Sequence, residues 1–174
     1  STVPCSTKWM KGTVNSFYIG IIATVIATAL GTLAALGLSR PHMPYKGLIM
    51  AILISPMIVP LIITAAGMFF FYARINLVYT FTGVILAHVA LATPFVVITV
   101  TATLVGFDMN MVKAAQSLGA KPMRTFFKVI MPLILPGIIS GALFAFITSF
   151  DEVVIVMFMA SIDQLTIPKQ MWAG

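Results

Sequence analysis

Four stretches without a formal charge limit what this chain can fold into. Between Lys11 and Arg40 lie 28 uncharged residues, between Lys46 and Arg74 lie 27, between Arg74 and Asp108 lie 33, and between Lys128 and Asp151 lie 22. A helix needs about 20 residues to cross a ~30 Å hydrocarbon core, so each run is long enough for one crossing. The runs are continuously apolar and lack the inside–outside alternation of a transmembrane barrel, so helices are expected near 15–38, 47–72, 81–104 and 132–151. Composition agrees. The 174 residues are 60% hydrophobic and 8% charged, against roughly 25% charged in a soluble domain. With a mean hydropathy of +1.10, this excludes an ordinary cytosolic enzyme, a nucleic-acid binder and a disordered segment. One cysteine, Cys5, excludes an internal disulfide framework and a cysteine-based metal cluster.

The loops orient the runs. Arg40 and Lys46 flank a short turn with two prolines, and the 105–131 segment carries Lys113, Lys121, Arg124 and Lys128 against Asp108. Two crossings separate these loops, so they share a side, and six cations there against four elsewhere make it cytoplasmic. The N-terminal segment then faces outward, which implies at least one preceding helix outside this sequence. On the first span Gly20, Ala23, Ala27, Gly31 and Ala35 form a small-residue face suited to close packing inside one bundle. Pro56, Pro60 and Pro94 lie inside spans, where each removes a helix hydrogen bond and allows a bend.

The 105–131 loop is the long polar interruption. Asp108 is placed to cap a helix from about Met109 to Leu118, with Ala114, Ala115 and Leu118 on one face and Gly119 at its stop. Pro122 permits a second short helix, with Phe126 and Phe127 against the membrane and Arg124 and Lys128 toward headgroups. From physics alone this is a membrane-surface amphipathic loop.

Lys113-Ala-Ala-Gln-Ser-Leu-Gly119, nine residues, then Val129-Ile-Met-Pro132 resembles the cytoplasmic signature of binding-protein-dependent ABC importer permeases: Glu-Ala-Ala, three residues, Gly, nine residues, Ile-x-Leu-Pro. Gly106-Phe-Asp108, Pro136-Gly-Ile138 and Ser149-Phe-Asp-Glu152 match its flanks. Ala87-His88, Pro94-Phe-Val-Val97, Leu165-Thr-Ile-Pro168 and Gln170-Met-Trp172 are similar to the spermidine/putrescine-type branch. The resemblance runs from about Trp9 onward. It implies an all-α transmembrane fold, a polytopic helical bundle with four to five membrane helices here, part of a six-helix subunit and one permease domain over 1–174. It implies a multi-pass subunit of a bacterial-type inner membrane, working with cytoplasmic ABC ATPase subunits, a second permease and an extracytoplasmic binding protein. ATP and magnesium belong to the ATPase; this chain carries no Gly-rich Lys-Ser/Thr phosphate loop, no catalytic pair and no cofactor of its own. Lys113, Ala114, Ala115, Gly119 and Pro132 are the residues that the resemblance assigns to ATPase coupling.

Asp151 and Glu152 are the adjacent acids, set between apolar segments. Either they cap the next element, or they line the route of a cation. The resemblance favours a polyamine-like cargo, with Asp151, Glu152 and Phe150 on its path and Phe146 and Trp172 available for cation–π contact. Other cargos of the same family (ferric iron, an organic anion) stay open, as does an ion-gradient-driven transporter, which leaves the signature loop unexplained. His88 reads as a buried, hydrogen-bonded histidine, and Asn15 and Asn76 as span-edge residues. One departure is informative: the signature's glutamate is Lys113 here. Lys113→Glu is expected to tighten co-purification with an ATPase that keeps the matching cation; unchanged or weaker association counts against that contact.

Overall fold

The computed structural model describes residues 5–40, 43–106 and 108–173. Pro41, His42 and Phe107, which fall in the loops discussed above, lie outside the described residues. The chain is a helical bundle: α1 (Cys5–Leu38), α2 (Lys46–Ile58), α3 (Leu61–Arg74), α4 (Phe81–Val105), α5 (Met109–Ser117), α6 (Pro122–Thr125), α7 (Met131–Phe150), α8 (Val154–Met159) and α9 (Ile167–Ala173). A π-helical turn, Phe126–Ile130, joins α6 to α7, and a 3₁₀ turn, Ile162–Gln164, precedes α9. Among the described residues, three single helical stretches are long and apolar enough to cross a membrane: Thr7–Leu38, Phe81–Val105 and Pro122–Phe150.

α4 is the centre of the bundle. It is apolar all round, the pattern of a helix enclosed on every side, and Val84, Ala87, Ala92, Val96 and Val100 are fully buried between α1 and α7. Lipid supplies no hydrophobic drive between helices, so close approach has to come from small residues. A Cβ at Gly31 of α1 would lie 2.6 Å from Val96 Cβ, and one at Gly141 of α7 would lie 2.9 Å from Val96 Cα. Both neighbours therefore close on the same residue. Gly20, Ala23, Ala27, Gly31 and Ala35 are all buried, so the small face of α1 is used for packing inside the bundle.

The run expected near 47–72 is folded as two helices that meet at 105°, a broken span or a re-entrant loop. Two prolines behave differently for a local reason. Pro56 deprives the Ile52 carbonyl of its donor, but the Ser55 hydroxyl donates to that carbonyl at 2.7 Å and α2 continues. Before Pro60 stands Val59, which has no donor to offer. Steric conflict with the proline ring holds it extended (φ −72, ψ 136), and the helix ends.

The end of the bundle where α4 begins is tied by polar side chains reaching across the sequence. Asn15 Nδ2 donates to the carbonyls of Asp163 (2.9 Å) and Leu165 (3.0 Å), and the Ser16 hydroxyl accepts from Ile167 N–H (2.9 Å). Tyr79 holds a left-handed backbone (φ 63) by donating its N–H to Met159 and accepting from Gln164 Nε2. These bonds clamp the 159–167 segment over the outer ends of α1 and α4.

The Val96 contact gives a direct test. Gly141→Ala is expected to cost about 1–3 kcal/mol by overpacking, read as a lower thermal midpoint in detergent. Gly67→Ala, with nothing within 4 Å of its Cβ position, should not lower the midpoint and should raise it slightly through helix propensity.

Candidate functional site

Two regions carry the polar chemistry, at opposite ends of the bundle. The first is built where helices stop. α7 ends at Phe150, and its regular hydrogen-bond ladder lapses over Asp151–Val153 before α8 starts, although Asp151 and Val153 keep right-handed backbone angles. α3 begins at Leu61, directly after the break at Pro60. The two interruptions meet: Leu61, Ile147, Thr148, Asp151, Glu152 and Val154 line one pocket of about 440 Å³. A break in the helical ladder within a bilayer is tolerated only where protein encloses it or where it faces a watery cavity.

The depth follows from a cross-helix bond. His88 is buried (1% exposed), and its Nδ1 lies 2.7 Å from Ser149 Oγ. Seven residues separate His88 from the outer start of α4, about 10 Å along a helix. Asp151, two residues beyond Ser149, therefore sits below the outer end of α4, and α8 climbs back toward the clamp. Ser149 belongs to the matched flank, but its pairing with His88 was not foreseen, because 61 residues separate them.

The adjacent acids have different tasks. Glu152 is 6% exposed, and its Oε1 accepts the Ile155 N–H at 3.0 Å, so it caps the first turn of α8. Asp151 is exposed and lines the pocket with its side chain free of hydrogen bonds among the described residues. Chemically, Asp151 offers a carboxylate to a cation entering a mostly apolar recess. At 4 Å such a pair is worth about 4 kcal/mol at an effective dielectric of 20, against about 1 in bulk water. Phe150 is not among the residues lining this pocket. Its ring packs on Phe17 (centroids 5.3 Å) and Phe146 (5.6 Å), and Trp172 is exposed on α9. Among the described residues no cluster of histidine, cysteine or acid is placed to hold a metal ion.

The second region is the 105–131 loop. Asp108 Oδ1 accepts the Asn110 N–H at 2.9 Å and caps α5, which runs to Ser117. Gly119 takes φ +79, the left-handed geometry that lets the chain leave the helix without a Cβ clash. Lys113 and Ala114 are exposed on α5, Ala115 is half-buried, and Leu118 is 88% exposed. Expected as a separate short helix, α6 instead runs through the π-helical turn into α7, giving one helical stretch over Pro122–Phe150. Pro132 explains the wide turn: it lacks the N–H that would reach residue 128, and Met131 N–H bonds the Phe126 carbonyl five residues back. Pro132 is exposed at the start of α7, away from the α5 residues.

The family profile described as binding-protein-dependent transport system inner membrane component matches residues 15–173. The chain is 30% identical over 164 residues to the spermidine/putrescine transport system permease protein PotC of Haemophilus influenzae, covering 94% of this chain and 64% of the relative. It is 33% identical over 144 residues to the trehalose transport system permease protein SugB of Mycobacterium tuberculosis, covering 83% of this chain and 53% of that protein. A crystal structure of a bacterial ABC transporter involved in the import of the acidic polysaccharide alginate shares the fold, with TM-score 0.73 and 16% identity over 95% of this chain and 57% of that one. The chain thus spans less than two thirds of the length of these proteins.

The division between the acids is measurable. Glu152→Ala should destabilise the protein by about 1–2 kcal/mol through loss of the α8 cap, whereas Asp151→Asn should leave thermal unfolding in detergent unchanged. Equal effects of the two substitutions would refute the division.

Proposed function

We propose that this chain, which belongs to the family of binding-protein-dependent transport system inner membrane components, is the membrane-spanning permease subunit of an ATP-driven importer that admits a polyamine-like organic cation. It works with a second permease, cytoplasmic ATPase subunits and an extracytoplasmic binding protein. The observation that carries the cargo reading is Asp151, an exposed carboxylate in a pocket where two helices break. A flexible polycation loses hydration on entering such a recess, and the carboxylate replaces part of it. The spermidine/putrescine relative supports a cationic cargo, while the trehalose relative shows that neighbouring members are named for a neutral sugar.

Coupling uses the long helix. Lys113, Ala114, Ala115 and Gly119 form the docking loop, small enough for an ATPase surface to approach closely. Movement of that loop passes into Pro122–Phe150, whose 29 residues end beside Asp151. A helix of that length spans about 43 Å, so one continuous element joins nucleotide-driven closure to the pocket. Pro132 and the π-helical turn give it a compliant point near the cytoplasmic end.

Uptake by the reconstituted full-length importer tests this. Spermidine should accumulate in proteoliposomes only with ATP inside, and Asp151→Asn should lower uptake kcat/KM at least about tenfold, equivalent to ~1.4 kcal/mol. Uptake driven by an ion gradient without ATP would overturn the importer reading. ATP-dependent uptake of trehalose or ferric iron but not spermidine would overturn the cargo.

A further inference from the structure

α7 lies on α4 along a row of buried residues four apart: Gly137, Gly141, Ala145 and Ser149. The two helices run antiparallel. A Cβ at Gly137 would meet Thr99 and Thr103, one at Gly141 would meet Val96, and Ser149 reaches His88. Glycine and alanine offer only surface to α4, so the row gains a directional side-chain bond at Ser149, with Oγ 2.7 Å from His88 Nδ1. That bond falls where α7 ends. Asp151 N–H still bonds the Ile147 carbonyl (3.0 Å), and beyond it the ladder lapses. Successive residues turn about 100° around a helix, so Asp151 points about 200° away from Ser149. Ile147, Thr148 and Asp151 share that far side, and all three line the 440 Å³ pocket. Holding Ser149 against α4 therefore turns Asp151 toward the pocket.

We propose that His88 is a positioning residue: its bond to Ser149 fixes the azimuth of the last turn of α7 and so aims the Asp151 carboxylate at the cationic cargo. The proposal rests on the transport role given to Asp151 above. His88 is 1% exposed and does not line the pocket, so it acts on the cargo through this bond and not by touching it. Its Nε2 has no hydrogen-bond partner among the described residues, which leaves Nδ1 as the atom that does the holding. Either tautomer serves, because the serine hydroxyl can accept from Nδ1–H or donate to a bare Nδ1. A leucine here would fill the same space and let the last turn of α7 roll. A polar ring in an apolar bundle is costly, and a fixed direction for Asp151 is what it provides.

Spermidine uptake by the reconstituted full-length importer is the first readout. His88→Leu should raise KM about fivefold with kcat per assembled transporter nearly unchanged. Ser149→Ala, which removes the same bond without altering α4, should give the same shift. His88→Asn, whose amide occupies the place of Nδ1, should restore KM, and His88→Gln, whose amide lies nearer the place of Nε2, should not. In an Asp151→Asn background His88→Leu should add nothing, because there is no carboxylate left to aim. The second readout needs no cargo. With Asp151→Cys in a cysteine-free full-length permease, His88→Leu should slow reaction of that thiol with a cationic methanethiosulfonate about fivefold, and His88→Asn should restore it. A lower kcat or yield with KM and thiol reactivity unchanged would reduce His88 to packing and overturn the proposal. So would rescue by Gln and not Asn, or an undiminished effect of His88→Leu beside Asp151→Asn. If the unaltered importer takes up no spermidine, the transport role falls instead, and thiol reactivity alone decides the positioning.

Discussion

Within a bilayer a backbone amide has no water to turn to, and the rest of this structure depends on that constraint. Every stretch at membrane depth must satisfy its own N–H and C=O groups, so helices are obligatory and interruptions are confined to enclosed places. Among the described residues, helix breaks at Pro60 and at Asp151–Val153 share one pocket. Concentrating the breaks gathers exposed backbone and the Asp151 carboxylate together. The remainder, built around α4, stays continuous and tightly packed.

Much of this was legible in the spacing of charges, because charge is what the membrane excludes most strongly. The gaps between Lys11, Arg40, Lys46, Arg74, Asp108, Lys128 and Asp151 mark the crossings without any contact information. The helix cap at Asp108 and the stop at Gly119 were legible too, since both follow from bonds within a few residues. Which proline breaks a helix was not. Pro56, Pro60 and Pro94 look alike in sequence, yet α2 continues through Pro56 and α4 through Pro94. At Pro56 the preceding serine replaces the missing donor; at Pro60 the preceding valine has none.

Long-range polar contacts were also hidden. Asn15 read as a span-edge residue, but its amide holds carbonyls 148 and 150 residues away. The two acids offered the same carboxylate chemistry, and only the chain's path after Phe150 separates a capping Glu152 from a free Asp151. For Arg124 and Lys128 the sequence did not show that α5 passes close enough for them to line one pocket with Ala115 and Gly119. In each case the deciding partner lies on another element, where local pattern carries no signal.

The π-helical turn at Phe126–Ile130 has a geometric consequence. In a regular helix each residue advances the side-chain direction by about 100°, so the face presented at one end fixes the face presented at the other. A widened turn absorbs an extra residue and breaks that relation. The azimuth of Arg124 and Lys128 can therefore suit one neighbour while that of Gly137 and Gly141 suits α4. One continuous helical stretch carries two independently phased surfaces, and selection can retune the one at the Arg124 end without disturbing the register of the core.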